Sequence, residues 1–403
     1  MSARRVLIAG GGVAALEAML ALRRLAEERV AIVLVSPEKS FTYRPLAVAE
    51  PFGLGAERRF DLAQIAADAS AELLEGRVSS VDAATTTVRT ASGASLDYDA
   101  LLIACGGRRR APFPEALTFW GHGGRDRMSE LLEDLKGGSV RSVAFALPGG
   151  CGWPLPLYEL ALLTSSHLAA EDESAVELMI VTPEAAPLEL FGAEASESIS
   201  RLLARRGIGL FTGSYPVAYR AGELSLSPAG RLRVERVVTL PRIEGPGIEG
   251  LPTGRHGFIP VDDYGRVPGL DGVYAAGDAT TVPIKQGGLA AQMADVVAAQ
   301  IAFGAGATVE LEAFRPVLRG MLLTGDTPRY LRAELDQDAG DEAMAAEHAL
   351  WWPPSKIAGR HLAPYLATLA TAELEPPAPS ARRPVRVEVE IDPARDLTPS
   401  RPG

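Results

Sequence analysis

VLIAGGGVAALEAML, residues 6–20, decides the fold. Val6 to Ala9 is an apolar run with β-branched residues, the pattern of a strand buried on both faces of a parallel sheet. Gly10, Gly11 and Gly12 follow at once. Ala14 to Leu25 then reads as an Ala/Leu-rich helix, with Arg23 and Arg24 near its end, where cations suit the helix dipole. Gly10 allows a tight turn, and Gly12 lets the main chain approach a pyrophosphate. The third small residue, Ala15, lets helix and strand pack closely. The helix start at Val13 and Ala14 offers free N–H groups and a partial positive charge to phosphates. A second strand predicted at Val30 to Val35 supplies the context that a lone Gly-x-Gly pattern lacks. Arg4 and Arg5 ahead of an apolar stretch also fit a secretory leader. Glu17, the three glycines and the Arg23–Arg24 pair oppose that reading.

The second strand of such a unit ends in an acid that binds a ribose hydroxyl. Here Ser36 stands at that place, with Glu38 two residues on as the candidate contact; a solvated loop carboxylate is the plain alternative. A third section ends in LDYDALLIACGG, where a strand from Ala100 to Ala104 runs into Gly106 and Gly107. Far along the chain, GVYAAGDATTVPIKQGGLAAQMAD (272–295) places Gly277 and Asp278 after a strand, then a second Gly-rich turn before a helix. The expected architecture is α/β, with two Rossmann-like dinucleotide-binding domains, the first split by insertion of the second. Residues 1–112 and 246–310 form the split domain, 113–245 the insertion, and 311–403 a C-terminal α+β piece with a Pro-rich tail. In that piece two strands should flank the Gly325-Asp326 turn, a helix should follow Pro354, and Val385 to Ile391 is a short strand candidate.

The net charge of −11 disfavours nucleic acid or an anionic membrane surface as an electrostatic partner. No apolar run reaches the ~18–20 residues of a membrane span, so membrane contact is at most peripheral. Two cysteines among 403 residues make no disulfide framework, and a reducing cytoplasm is the expected location. The histidines are scattered without ligand spacing, so no metal is expected.

GGGVAALEA (10–18), LLIACGG (101–107) and VYAAGDA (273–279) together resemble the pyridine nucleotide-disulfide oxidoreductase superfamily. The resemblance implies one FAD held by segments far apart in sequence. It implies that Asp278 meets the ribityl chain, and that Lys285, Gln286 and Gly287 open a helix facing the pyrimidine end of the flavin. SFTYRPLAVAEPFG (40–53) is similar to the sulfide:quinone oxidoreductase and type II NADH dehydrogenase branch, which places Tyr43 or Pro45, beside Arg44, over the flavin. Val78, Ala104, Cys105, Gly106 and Gly277 complete the expected cofactor contacts, although Cys105 also reads as a small packing residue.

The inserted domain departs from a nicotinamide site. Its loop, LPGGCGWPLPLYELALL (147–163), keeps Gly149, Gly150 and Gly152 but adds Trp153, Pro154 and Pro156. These crowd a pyrophosphate and remove backbone donors. Glu184 reads as a ribose contact or a loop carboxylate. Glu159 is either a residual sign of NAD(P)H use or a core-edge helix residue. Cys151 resembles one redox cysteine of the sulfide oxidoreductases, with a thiolate activated by the helix N-terminus. No cysteine follows it, so the second redox cysteine of that family is missing. Lys356 is a second catalytic candidate, which either approaches the flavin or is solvated. Trp351, Trp352 and Tyr365 line a quinone pocket or pack, and Arg108 to Arg110 read as a solvated cluster. The leading expectation is FAD-dependent transfer of two electrons from a small donor to a quinone-like acceptor. An NAD(P)H:acceptor reductase and a redox-responsive binding module are the alternatives, and homodimerisation stays open.

Overall fold

The computed structural model describes residues 3–171, 175–228, 230–335, 343–352 and 354–372. Strand β1 (Arg4–Ala9) runs through the glycine turn into helix α1 (Val13–Ala26). Val6 to Ala9 are all buried, as an interior parallel strand requires. Strand β2 (Val30–Ser36) lies parallel to β1, with Val6 opposite Ile32 and Ala9 opposite Val35. A hairpin of β3 (Ser40–Tyr43) and β4 (Arg58–Asp61) brackets residues 44–57. Asp61 caps α2 (Leu62–Asp68) by accepting the Ala63 N–H at 2.9 Å. Strand β5 (Glu72–Glu75) extends the sheet beyond β2. A small antiparallel sheet of β6 (Val78–Asp82), β7 (Thr87–Thr90) and β8 (Ser95–Asp97) precedes β9 (Ala100–Ile103), which flanks β1 on its other side.

Strand β10 (Arg108–Arg110) leaves that sheet. A second parallel sheet follows, built from β11 (Leu117–Thr118), α3 (Gly121–Lys136), β12 (Ser142–Ala146), α4 (Leu155–Ala170), β13 (Glu177–Val181), α5 (Gly192–Arg205) and β14 (Gly209–Phe211). An antiparallel trio, β15 (Tyr215–Arg220), β16 (Glu223–Ser227) and β17 (Gly230–Arg233), leads to β18 (Arg236–Thr239). The order in this sheet is β11-β18-β12-β13-β14. Strand β19 (Arg242–Glu244) pairs antiparallel with β10, so the way out of the insertion runs beside the way in.

Strand β20 (Val273–Ala275) lands on β9 and completes the first sheet as β20-β9-β1-β2-β5. Helix α6 (Gly287–Gly304) packs against α1. Gly277 sits at their meeting with φ +72°, and a Cβ there would stand 3.2 Å from Ala290 Cβ and 3.3 Å from Ala14 Cβ. Two Rossmann-like units on parallel sheets, the first interrupted in sequence by the second, are therefore the architecture, as the glycine loops imply.

Strands β21 (Val317–Leu322) and β22 (Arg329–Glu334) flank the Gly325-Asp326 turn as expected, and β23 (Ala343–Ala346) adds a third strand that the sequence pattern did not announce. Helix α7 (Leu362–Ala372) follows Pro354. The compact body extends to Tyr365, and Leu366 begins a second unit. The strand candidate at 385–391 lies outside the described residues. Among the described residues, no helix is long and apolar enough to cross a membrane.

Candidate functional site

The C-terminal ends of the parallel strands β1, β2 and β9 lie side by side at Ala9, Ser36 and Ile103. Gly10 turns with φ +139°, and a Cβ there would stand 2.3 Å from Ala104 O, so only glycine lets the turn close against the end of β9. At Gly12 a Cβ would meet nothing within 4 Å. Gly12 is the N-cap of α1 and has no side-chain cap, so the first-turn N–H groups at Val13 and Ala14 point into open space. Ala15 is fully buried behind them. An anionic dinucleotide phosphate fits this cradle by shape and by charge.

Ser36 is buried and its hydroxyl is held within its own loop, accepting the Glu38 N–H and donating to Glu38 O, each at 3.1 Å. Glu38 itself is exposed on that loop. Val78 is packed in the apolar core, which leaves only its main chain to meet a ligand. Cys105, read as a cofactor contact or a small packing residue, is exposed, and desolvation by the surrounding protein pushes its thiol up to about 11. Gly106 follows with φ +70° and open space around it.

Asp278 accepts no hydrogen bond from a described residue. Burial raises its carboxyl, while the charges of Lys285 and then Arg109 hold it back. Lys285 is buried, donates to Thr280 O at 2.5 Å and stands 3.8 Å from the Phe258 ring centre. Burial lowers its ammonium to about 8, against the pull of Asp278. Its N–H bonds Gly152 O at 3.0 Å, which brings the loop of the second sheet to this place. Gln286 caps α6 by accepting the Leu289 N–H at 2.8 Å, and Gly287 packs under Ile357.

Arg108 to Arg110 are exposed, as a solvated cluster requires, and within it Arg109 lies over Trp120 with its guanidinium carbon 3.6 Å from the ring centre. Burial lowers it to about 10. Arg44 reaches the same ring at 5.0 Å, beside the half-buried Pro45. Trp120 carried no sequence signal, because a lone Trp before a helix has no motif. The segment around Arg44 is fastened by Arg125 of α3, which pairs with Glu50 and lies 3.6 Å from Glu57.

The loop before α4 is closed. Trp153 packs edge-on against Phe191, ring centres 5.9 Å apart, and α4 begins at Pro154 with Pro156 in its first turn. Glu184 lies in the loop after β13, as expected, but is buried: Tyr158 donates to it at 2.6 Å and Thr182 at 2.8 Å. Burial raises its carboxyl. The expectation of an activated Cys151 thiolate is corrected here. Burial, with a further push from the Glu184 charge, raises the thiol to about 11, although Trp153 O at 3.6 Å lies within reach of the sulfur. The helix dipole does not overcome desolvation, because the half-buried thiol packs against the apolar core.

Lys356 is not solvated. It forms a buried ion pair with Glu159, whose oxygen also accepts the Leu323 N–H at 2.9 Å. Glu159 is thus a core residue, 1% exposed, not a core-edge one. Next along, the Ile357 N–H donates to Tyr43 Oη at 3.3 Å. Trp351 packs edge-on against Tyr330, Tyr365 donates to Asp68 at 2.7 Å, and Trp352 is 89% exposed.

Against the expectation of scattered histidines, His361 meets Glu17 and Asp295, one ligand-type atom of each lying within 4.8 Å of the others. The Glu17 oxygens already accept the His361 and Leu362 N–H groups at 2.6 and 2.8 Å, which ties the start of α7 to α1. Burial, and then the Glu17 carboxylate, push Asp295 up to about 8. The folded chain therefore keeps a proton that an aspartate at its ordinary 3.8 would release. The stabilisation is complete below about pH 4 and is lost as pH rises through about 8. Thermal melts are expected to fall between about pH 6 and pH 9, and Asp295→Asn should flatten that slope. An unchanged slope in the variant would exclude this pair as its origin.

A family model described as pyridine nucleotide-disulphide oxidoreductase matches residues 4–300. The chain is similar to the NADH dehydrogenase-like proteins of two Mycobacterium tuberculosis strains, CDC 1551 / Oshkosh and ATCC 25618 / H37Rv. Each is 28% identical over 290 residues, covering 68% of this chain and 72% of the relative. In structure it is similar to the sulfide:quinone oxidoreductase of Aquifex aeolicus, with TM-score 0.78 and 19% identity over 86% of this chain and 87% of that one. It is also similar to the ferredoxin reductase of the CYP199A2 system of Rhodopseudomonas palustris, with TM-score 0.62 and 20% identity over 82% of each chain.

Proposed function

Because the chain belongs to the pyridine nucleotide-disulphide oxidoreductase family and is an FAD-dependent oxidoreductase, we propose that it passes two electrons from a small donor other than a nicotinamide to a quinone-like acceptor. The observation that carries this reading is the rebuilt loop at 147–156. Pro154 and Pro156 supply no N–H, Trp153 fills the space against Phe191, and Tyr158 and Thr182 occupy the carboxylate of Glu184. A dinucleotide would have to displace all three contacts.

FAD, when bound, supplies the two-electron chemistry. The chain's part is to hold it and to manage protons. The N–H groups of Val13 and Ala14 would hold the pyrophosphate, Glu38 the ribose, and Asp278 the ribityl hydroxyls, with Pro45 and the turns at Gly106 and Gly277 shaping the walls. Lys285, held near 8, keeps a positive charge beside Asp278 at neutral pH and loses it in mild base. Together with the start of α6 at Gln286 and Gly287 it favours negative charge at that end of the cofactor. The buried Lys356–Glu159 pair holds a proton for the acceptor. Cys151, a neutral thiol at pH 7, serves as a donor contact rather than a standing thiolate. The reaction is placed in the cytoplasm, with at most peripheral membrane contact.

The NADH dehydrogenase-like relatives favour a second reading, an NAD(P)H:acceptor reductase. Anaerobic titration of the yellow holoprotein separates the two. NADH and NADPH are expected to leave the visible absorbance unchanged over minutes, while sodium sulfide bleaches it. Rapid bleaching by NADH sinks the proposal. Sulfide bleaching at an equal rate in Cys151→Ser removes any role for the thiol.

A further inference from the structure

We infer that Glu17, Asp295 and His361 form a protonation-dependent latch, in which one proton shared by the two carboxyls holds residues 356–362 against the body and its loss lets that segment lift. Four points fasten the segment. Lys356 pairs with Glu159 of α4, the Ile357 N–H donates to Tyr43 Oη at 3.3 Å, and Ile357 covers Gly287 at the start of α6. The fourth point is Glu17 of α1, whose two oxygens accept the consecutive N–H groups of His361 and Leu362 at 2.6 and 2.8 Å. Gly359 permits that approach, because a Cβ there would stand 2.4 Å from Glu17 Oε2.

One carboxylate is enough to serve the start of α7. Asp295 of α6 places a second one at its side, hydrogen-bonded to the first. Two carboxyl groups share a hydrogen bond only while one of them carries a proton. Glu17 is fully buried and already accepts two N–H groups, so it is the ionised member and Asp295 is the donor. The charges that face the pair do not replace this proton. Arg360 of the segment acts on Asp295, while Arg24 of α1 and Arg360 act on His361. His361 Nε2 lies 3.7 Å from Asp295 Oδ1, but burial, followed by those two arginines, lowers its imidazole, which is neutral at pH 7.

When Asp295 ionises, two adjacent carboxylates repel in a poorly hydrated place, and exposing them to water relieves the repulsion. Helices α1 and α6 are packed on each other, whereas residues 356–361 form neither helix nor strand, so the segment is the part that yields. The closed segment holds a proton that an Asp295 in water, at its ordinary 3.8, releases, so closure weakens as pH rises through about 8. What the latch governs rests on the proposed function. With FAD at the start of α6, lifting Ile357 uncovers that end of the cofactor and parts Lys356 from Glu159.

The test is hydrogen–deuterium exchange of the oxidised holoprotein, corrected for intrinsic rates and compared between about pH 7 and pH 9. Peptides covering 356–362 are expected to open about tenfold more at the higher pH, the factor given by one group that titrates near 8 closed and near 3.8 open. Peptides of β1 and β12 should stay protected. Asp295→Asn keeps a donor to Glu17 and cannot ionise, so it should hold the segment closed at both pH values. Glu17→Gln offers one acceptor oxygen for the two N–H groups, so it should leave the segment open at both, with β1 and β12 still protected. A rise shared by every peptide, equal exchange of the segment at the two pH values, or a step that survives Asp295→Asn overturns the latch. Iodide quenching of flavin fluorescence should rise together with the opening. Opening without that rise overturns the hold on the cofactor end and leaves the latch standing. Bleaching by NADH would sink the proposed function without touching the exchange result.

Discussion

Gly12→Asp is expected to give a folded but colourless protein. The substitution meets no steric barrier: a Cβ at Gly12 has nothing within 4 Å, and the residue has φ −96°, which any amino acid adopts. Gly12 is already the N-cap of α1, where an aspartate is a favoured residue worth about 1 kcal/mol to the helix. The new carboxylate takes the N–H groups that a pyrophosphate needs and adds a like charge beside it. Two unit charges about 4 Å apart at an effective dielectric near 20 repel by about 4 kcal/mol. That is roughly three orders of magnitude in FAD affinity. The measurement is the FAD-to-protein ratio after purification, with far-ultraviolet circular dichroism to report folding. Gly10→Val is the contrast, because its Cβ would overlap Ala104 O in a backbone region closed to valine, so it should fail to fold. A yellow, fully loaded Gly12→Asp protein would show that the cofactor phosphates lie elsewhere.

That contrast also marks what could be read in advance. Gly10, Gly12 and Ala15 carry a local code, since each answers to its neighbours within a few residues, and a strand buried on both faces announces itself by an unbroken apolar run. The split of the first sheet was legible for the same reason: β9 and β20 each end in a short motif. Residues whose role depends on tertiary partners were misread. Lys356 and Glu159 are 197 positions apart, and nothing local tells a buried lysine from a solvated one. Arg109 sits in a run of three arginines that reads as surface and is exposed, but nothing local announces its seat on the Trp120 ring. Cys151 was misjudged in electrostatics, because the helix start is visible in sequence while the packing against the apolar core that outweighs it is not. His361, Asp295 and Glu17 came together only through the packing of α1, α6 and the start of α7.

Lys356→Met is expected to destabilise the protein by about 3–5 kcal/mol, the usual cost of leaving one member of a buried pair alone. The side chains of Lys356 and Glu159 are 7% and 1% exposed, so water does not replace the lost ammonium. Glu159 keeps the Leu323 N–H but loses the Lys356 ammonium that holds its carboxyl down against burial. Its titration then moves further upward, which gives the variant a sign-specific signature. The protonated acid is tolerated in the core and the carboxylate is not, so the variant approaches wild-type stability in acid and falls away as pH rises through the new value. Glu159→Gln in the same chain removes the charge that needed a partner, and the double variant should recover to within roughly 1–2 kcal/mol of wild type. Urea unfolding followed by flavin and tryptophan fluorescence across pH measures all three. A Lys356→Met protein as stable as wild type at every pH would mean that the pair is not buried. Recovery of stability in the double variant without recovery of acceptor reduction would then assign the pair to proton handling, because packing alone predicts that both return together.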